Sequence, residues 1–148
     1  MVMNLAFVDA FVKQLAVVRL KGAAAIPVIP SFFNLAYVEN RGCAWGMLQG
    51  QVWPLAVFGL LALAVLLWKR RGIFGTGRLG GLAEPLLYAG ILGNLLDRLF
   101  RRCVIDMFDF YWGNYHFPCF NLADSYICVA AGLLILASFL EPKSEKAK

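Results

Sequence analysis

Four stretches of this chain, residues 1–18, 52–68, 79–100 and 122–140, approach the length of about 20 mostly apolar residues that a helix needs to cross a hydrocarbon layer. Backbone surrounded by hydrocarbon must satisfy its own hydrogen bonds, so stretches of this kind are constrained to be helices. The rest of the composition agrees. With 61% hydrophobic and only 16% charged residues, a 148-residue chain is too apolar for a soluble domain of its size. The expected fold is an integral membrane, all-α bundle of four transmembrane helices forming one domain over residues 1–140, followed by a polar cytoplasmic tail at 141–148.

The four stretches differ in quality. The second and fourth are nearly free of charge, and Trp53 and Trp68 bracket the second as interfacial anchors. The third contains Glu84 and Pro85 and ends in Asp97 and Arg98. The first is broken by Asn4, Asp9, Lys13 and Gln14. A cleaved leader would carry positive charge before its apolar core and small residues after it, and this segment does neither. It reads as a retained helix whose Asp9 and Lys13, four residues apart on one face, meet a partner helix or the membrane edge.

Lysine and arginine set the orientation. Lys69, Arg70, Arg71 and Arg78 lie in one connection, and Lys143, Lys146 and Lys148 lie in the tail; both segments are therefore expected in the cytoplasm. Four spans then place both termini inside and residues 19–51 and 101–121 outside. Arg98, Arg101 and Arg102 run against this assignment, and the aspartates at 97, 106, 109 and 124 offset them. The formal charge of +5 is accounted for by anchoring to anionic lipid, with no nucleic-acid partner.

Between Pro30 and the turn signal Asn40-Arg41-Gly42, the residues Phe32, Phe33, Leu35, Tyr37 and Val38 suggest a short strand pair on the membrane surface. Cys43, Cys103, Cys119 and Cys128, with the single His116, lack metal-ligand spacing, so no zinc site is expected. Cys103 and Cys119 both fall outside, where a disulfide could join them.

Polar residues gather toward the outer end. Asn94, Asp97 and Arg98 share one helical face, and the simplest reading is an Asp97/Arg98 pair orienting a helix end. Asn121 and Asp124 begin the fourth helix, where either could cap the free backbone amides. Asp106 sits between Val104-Ile105 and Met107-Phe108 with no local partner, and Asp109 is its rival. Two carboxylates brought together share a proton near neutrality, and such a pair can activate water while polarising a carbonyl. No serine or cysteine sits in a recognisable nucleophile context, so in a hydrolase the aspartates lead.

Four segments carry a resemblance. They are Phe33-Asn34-Leu35-Ala36-Tyr37-Val38-Glu39-Asn40-Arg41-Gly42, Gly93-Asn94-Leu95-Leu96-Asp97-Arg98, Val104-Ile105-Asp106 and Phe117-Pro118-Cys119-Phe120-Asn121-Leu122-Ala123-Asp124-Ser125. In this order and spacing the chain resembles the bacterial lipoprotein signal peptidases, the type II signal peptidases. The resemblance implies an intramembrane aspartic protease of the bacterial inner membrane, monomeric and without cofactor or metal. Its partners would be membrane lipid and diacylglyceryl-modified prolipoproteins, from which it would cut the signal peptide just before the lipidated cysteine. By the same resemblance Asp106 and Asp124 form the catalytic dyad, and Asp109 does not belong to it. Asn94, Asp97, Arg98 and Asn121 would support the dyad, Asn40 would belong to the loop that covers substrate, and that loop would sit in a small antiparallel cradle on the outer surface.

The chain departs from the family pattern in several places. Asp9-Ala10-Phe11-Val12-Lys13 lacks the glutamine usual after the aspartate and follows an unusually short apolar run. Cys43 and Trp45 stand where Ala and Phe are usual, Met107 where Phe follows the aspartate, and Arg102 where a turn glycine is common. Two other classes remain at this point. A small proton-coupled transporter would use Glu84 or Asp9 near mid-membrane, and a non-catalytic scaffold would leave Asp106 and Asn121-x-x-Asp124 without a purpose.

Overall fold

The computed structural model describes residues 1–140; the polar tail expected at 141–148 lies outside the described residues. The four apolar stretches are helices within two residues of their expected limits: α1 over Val2–Leu20, α2 over Val52–Trp68, α4 over Arg78–Arg101 and α5 over Leu122–Leu140. A short helix, α3 over Arg70–Phe74, links α2 to α4 through Gly75 at positive φ.

The bundle is apolar on its outside. Phe58, Phe100 and Phe139 project from α2, α4 and α5 at more than 70% exposure, a surface that water would penalise and lipid would not. α5 has a mean hydropathy of 1.9 over its most apolar window, yet only 11% of that window is buried within the protein. Its remaining surface requires hydrocarbon. α4 is half buried and is the helix on which the others pack. By length and hydropathy α4 and α5 can each cross a membrane; α2, at 17 residues, is apolar but shorter. α1 carries Asp9, Lys13 and Arg19 and does not meet the same measure.

An antiparallel sheet in the order β1-β2-β3-β4 stands beside the helices, so the protein is not all-α. The segment expected to hold a strand pair, between Pro30 and Asn40, forms a single strand, β2 over Phe33–Asn40, and its antiparallel partner β1 over Ile26–Ile29 lies before Pro30. These two strands are only half of the sheet. β3 over Val104–Trp112 runs along β2, pairing Phe33 with Phe110, Val38 with Asp106 and Asn40 with Val104, and β4 over Tyr115–His116 folds back on its end. Residues 104–112 are rich in β-branched and aromatic side chains, and the rings of Phe33 and Phe110 stack with centroids 4.5 Å apart. Asp106 therefore lies on a strand and not at a helix end.

Two apolar clusters hold the halves together. Ala16 and Leu20 of α1 pack on Cys103, Ile105 and Met107 at the root of β3, and Phe74 packs with Ala83, Tyr88 and Ala130 at the opposite end. All four cysteines are free thiols, so the Cys103–Cys119 disulfide that a shared outer location allowed is not formed. Buried Cys103 packs as a small apolar side chain. At Arg102 the chain leaves α4 in the left-handed region, with φ of 59°.

Candidate active site

The arrangement begins with the start of α5. Asn121 Oδ1 accepts from the Asp124 backbone N–H at 3.0 Å, and Asp124 Oδ2 accepts from the Asn121 backbone N–H at 3.2 Å. This reciprocal cap satisfies two amides that the first turn of a helix leaves without partners. It uses only half of each side chain. Asp124 Oδ1 accepts from Asn94 Nδ2 at 2.7 Å, and Asn121 Nδ2 donates to Asp106 Oδ1 at 2.7 Å and to Asn94 Oδ1 at 3.3 Å. Capping and assembly of a polar cluster are thus done by the same residues.

β2 contributes the other side. Asn40 Nδ2 donates to Asp106 Oδ2 at 3.0 Å, while Asn40 Oδ1 accepts from the Gly42 backbone N–H at 2.9 Å and so is fixed in orientation. Asp106 now has a partner on each oxygen, one from β2 and one from α5. Both partners are distant in sequence, which is why its own segment offered none. Arg98 Nη2 donates to the Gly42 carbonyl at 3.1 Å and Nη1 to the Asn94 carbonyl at 3.3 Å, tying the turn after β2 to α4. A Cβ at Gly42 would lie 2.4 Å from the Met47 carbonyl oxygen, so this close approach requires glycine.

Beneath this cluster lies a buried ionic network. Lys13, 1% exposed, contacts Asp9 at 2.9 Å, Asp97 at 3.1 Å and Asn94 Oδ1 at 3.0 Å. Asp9 Oδ1 accepts from the Ala123 backbone N–H at 2.9 Å, placing a negative charge at the positive end of the α5 dipole. Of the two settings open to the Asp9/Lys13 face, the partner helix is the one observed. Asp97 accepts from Arg101 at 3.0 Å and from the Ile105 backbone N–H at 3.2 Å, and the expected Asp97/Arg98 pair is absent among these contacts. Adjacent helical residues point about 100° apart, whereas residues four apart share a face, so Arg101 takes the partner's role. Asp9 and Lys13 were legible as a charged pair in an oily helix; their link through Asn94 to Asp124 was not.

Electrostatics separates the carboxyl groups. Burial, followed by the negative charge of Asp124, pushes the Asp106 carboxyl up from 3.8 to about 7, although Asn40 and Asn121 favour its ionised form. Asp109 is three residues along a strand from Asp106 and so belongs to the opposite face. Its oxygens are engaged by Asn34 at 3.2 Å and His116 at 2.7 Å, away from Asp124. Cys119 is pushed up to about 12 by burial, so it is a neutral thiol with no nucleophilic character at physiological pH. Glu84, on which a transporter would depend, is paired with Arg70 through Nε and through Nη2 at 2.9 Å. Chemically, the cluster offers two carboxylates bridged by amides, one able to hold a proton near neutrality.

Known proteins resemble this chain over most of its length. Residues 1–140 match the family model described as signal peptidase (SPase) II. The lipoprotein signal peptidase of Bacillus pumilus (strain SAFR-032) is 38% identical over 138 residues, covering 93% of this chain and 89% of that protein. That of Serratia proteamaculans (strain 568) is 43% identical over 126 residues, covering 82% and 74%. Two bacterial membrane enzymes solved by the in meso method share the fold. The one at 2.3 Å resolution gives a TM-score of 0.86 at 29% identity over 99% of this chain and 90% of that one. The one at 1.9 Å gives 0.77 at 27% identity over 95% and 91%.

Proposed function

This chain belongs to the signal peptidase II family of aspartic proteases, and from that premise we propose that it removes the signal peptide from diacylglyceryl-modified prolipoproteins, cutting just before the lipidated cysteine. Asp106 and Asp124 are the two catalytic carboxylates. Asn94 and Asn121 hold them in register, Asn40 and Arg98 fix the turn that covers the substrate, and Asp97 anchors the root of β3. The observation that carries this reading is the amide-bridged pair, with Asp106 holding a proton up to about pH 7.

The chemistry follows from one shared proton. The ionised carboxylate takes a proton from a water as its oxygen attacks the scissile carbonyl, and the protonated carboxyl donates to the carbonyl oxygen. Collapse of the tetrahedral intermediate breaks the C–N bond, and the nitrogen leaves with a proton from the pair. Asp106 is 1% exposed and Asp124 is less buried, so water and substrate approach from the Asp124 side.

In this reading all four long helices cross the bacterial inner membrane with both termini in the cytoplasm, and the sheet lies on the outer face. Water for hydrolysis is available at that interface but absent from mid-membrane. The acyl chains of the substrate bind laterally, each buried methylene contributing about 0.8 kcal/mol. No metal or cofactor takes part, and the single chain is the working unit.

The decisive experiment incubates purified protein with a diacylglyceryl-modified prolipoprotein and follows release of the signal fragment. Asp106→Asn and Asp124→Asn should each abolish release while remaining folded, and Asp109→Asn should retain it. Cleavage by either dyad variant would overturn the assignment.

A further inference from the structure

A cavity of about 390 Å³ lies between the start of α1, the end of α2 with Arg70 just beyond it, and residues 84–92 of α4. Its walls are Val2, Leu63, Leu67 and Leu92, and Arg70 and Glu84 stand at its polar side. Tyr88 also lines it. That residue is only 8% exposed, and its hydroxyl is buried without a hydrogen-bond partner. A buried hydroxyl in apolar surroundings carries an uncompensated desolvation cost unless something brings it an acceptor. Just beyond lie the exposed cations Lys69, Arg70, Arg71 and Arg78, against which Glu84 is the one carboxylate in the same segment.

We propose that this cavity binds an anionic phospholipid. One acyl chain lies along the four apolar walls, an ester or phosphate oxygen accepts from the Tyr88 hydroxyl, and the phosphate is held by Arg70 and the neighbouring cations. Each requirement is met by a separate observation: a mostly apolar lining, a buried hydroxyl without a partner on one of the lining residues, and surplus positive charge in the adjoining segment. A zwitterionic lipid fills the same space but gains nothing net from that charge. The site needs this end of the bundle to lie at lipid headgroups, as the four-span reading places it, but not the catalytic assignment.

Native mass spectrometry of the full chain in detergent micelles, with equimolar phosphatidylglycerol and phosphatidylcholine of identical acyl chains, tests the proposal without any cleavage assay. Phosphatidylglycerol should be retained about fivefold over phosphatidylcholine, the factor expected when about one basic side chain's attraction separates them. Tyr88→Phe, which preserves charge and shape, and Arg70→Gln should each lower that retention several-fold. Arg19→Gln, a charge change at the opposite end of α1, should not. Equal retention of the two lipids, undiminished retention by Tyr88→Phe, or an equal loss on Arg19→Gln would each overturn the site. So would displacement of the lipid by excess inorganic phosphate, since that would show a headgroup contact without the apolar groove.

Discussion

At the scale of single residues, Asp106 sets the pH behaviour. Its carboxyl is pushed up from 3.8 to about 7 in the folded chain, so between these values the native state holds a proton that the unfolded chain has released. The associated stability is fully present below about pH 4 and is lost as pH rises through about 7. Asp106→Asn cannot ionise, so its melting temperature relative to the parent should rise between pH 5 and pH 8.5; a pH-independent difference would contradict the shift. Catalysis should show the same group as an alkaline limb in kcat/KM near pH 7, and Asp109→Asn, which keeps Asp106, should retain that limb. Arg102 is a second case. A non-glycine residue at φ 59° carries left-handed strain, partly offset by its guanidinium lying 5.8 Å from the Trp53 ring. Arg102→Gly should exceed Arg102→Ala in stability by about 1 kcal/mol by thermal unfolding, because both lose the ring contact and only glycine loses the strain.

Among elements, the packing of α1, α4 and α5 depends on ions where a soluble protein would use apolar side chains. Lys13 bridges Asp9 and Asp97 and holds Asn94, which in turn holds Asp124. Lys13→Met leaves buried Asp9 without a cation and Asp97 with Arg101 alone, and should lower stability by about 3–5 kcal/mol, measured by loss of helical circular dichroism on heating in detergent. A change under 1 kcal/mol would mean that the network is dispensable to packing. α4 can accept Asp9 because residue 93 is glycine: a Cβ there would lie 2.5 Å from Asp9 Oδ2. Sequence reasoning found every long helix, because stretches of near-spanning length that are mostly apolar favour helix even where polar residues interrupt them, but of the sheet it placed only β2. Residues 104–112 become a strand by pairing with β2, some 70 positions earlier, and such pairing leaves little local trace.

For the whole molecule, the helices present an apolar exterior and an antiparallel sheet stands beside them. The family and the fold place the chain with the membrane signal peptidases. On the proposed topology of four crossings with the basic segments inside, a reporter fused after Lys148 should fluoresce as a cytoplasmic protein and be inactive as an exported phosphatase. The reverse pattern would invert the orientation and move the aspartates to the wrong face.

The sequence by itself determined that this chain lives in a membrane, where its helices run, and which short polar motifs stand at their ends, because hydrophobic run length and residue type are local properties. The ordered motifs also pointed to the family. The tertiary structure decided who meets whom: Arg101 takes Asp97, Asn40 and Asn121 take Asp106, and Lys13 reaches Asn94 across 81 residues. Those pairings follow from the packing of α1, β2 and β3 around α4 and the start of α5. A buried charge settles on whichever partner the assembled backbone brings within reach, and no local window of sequence contains that partner.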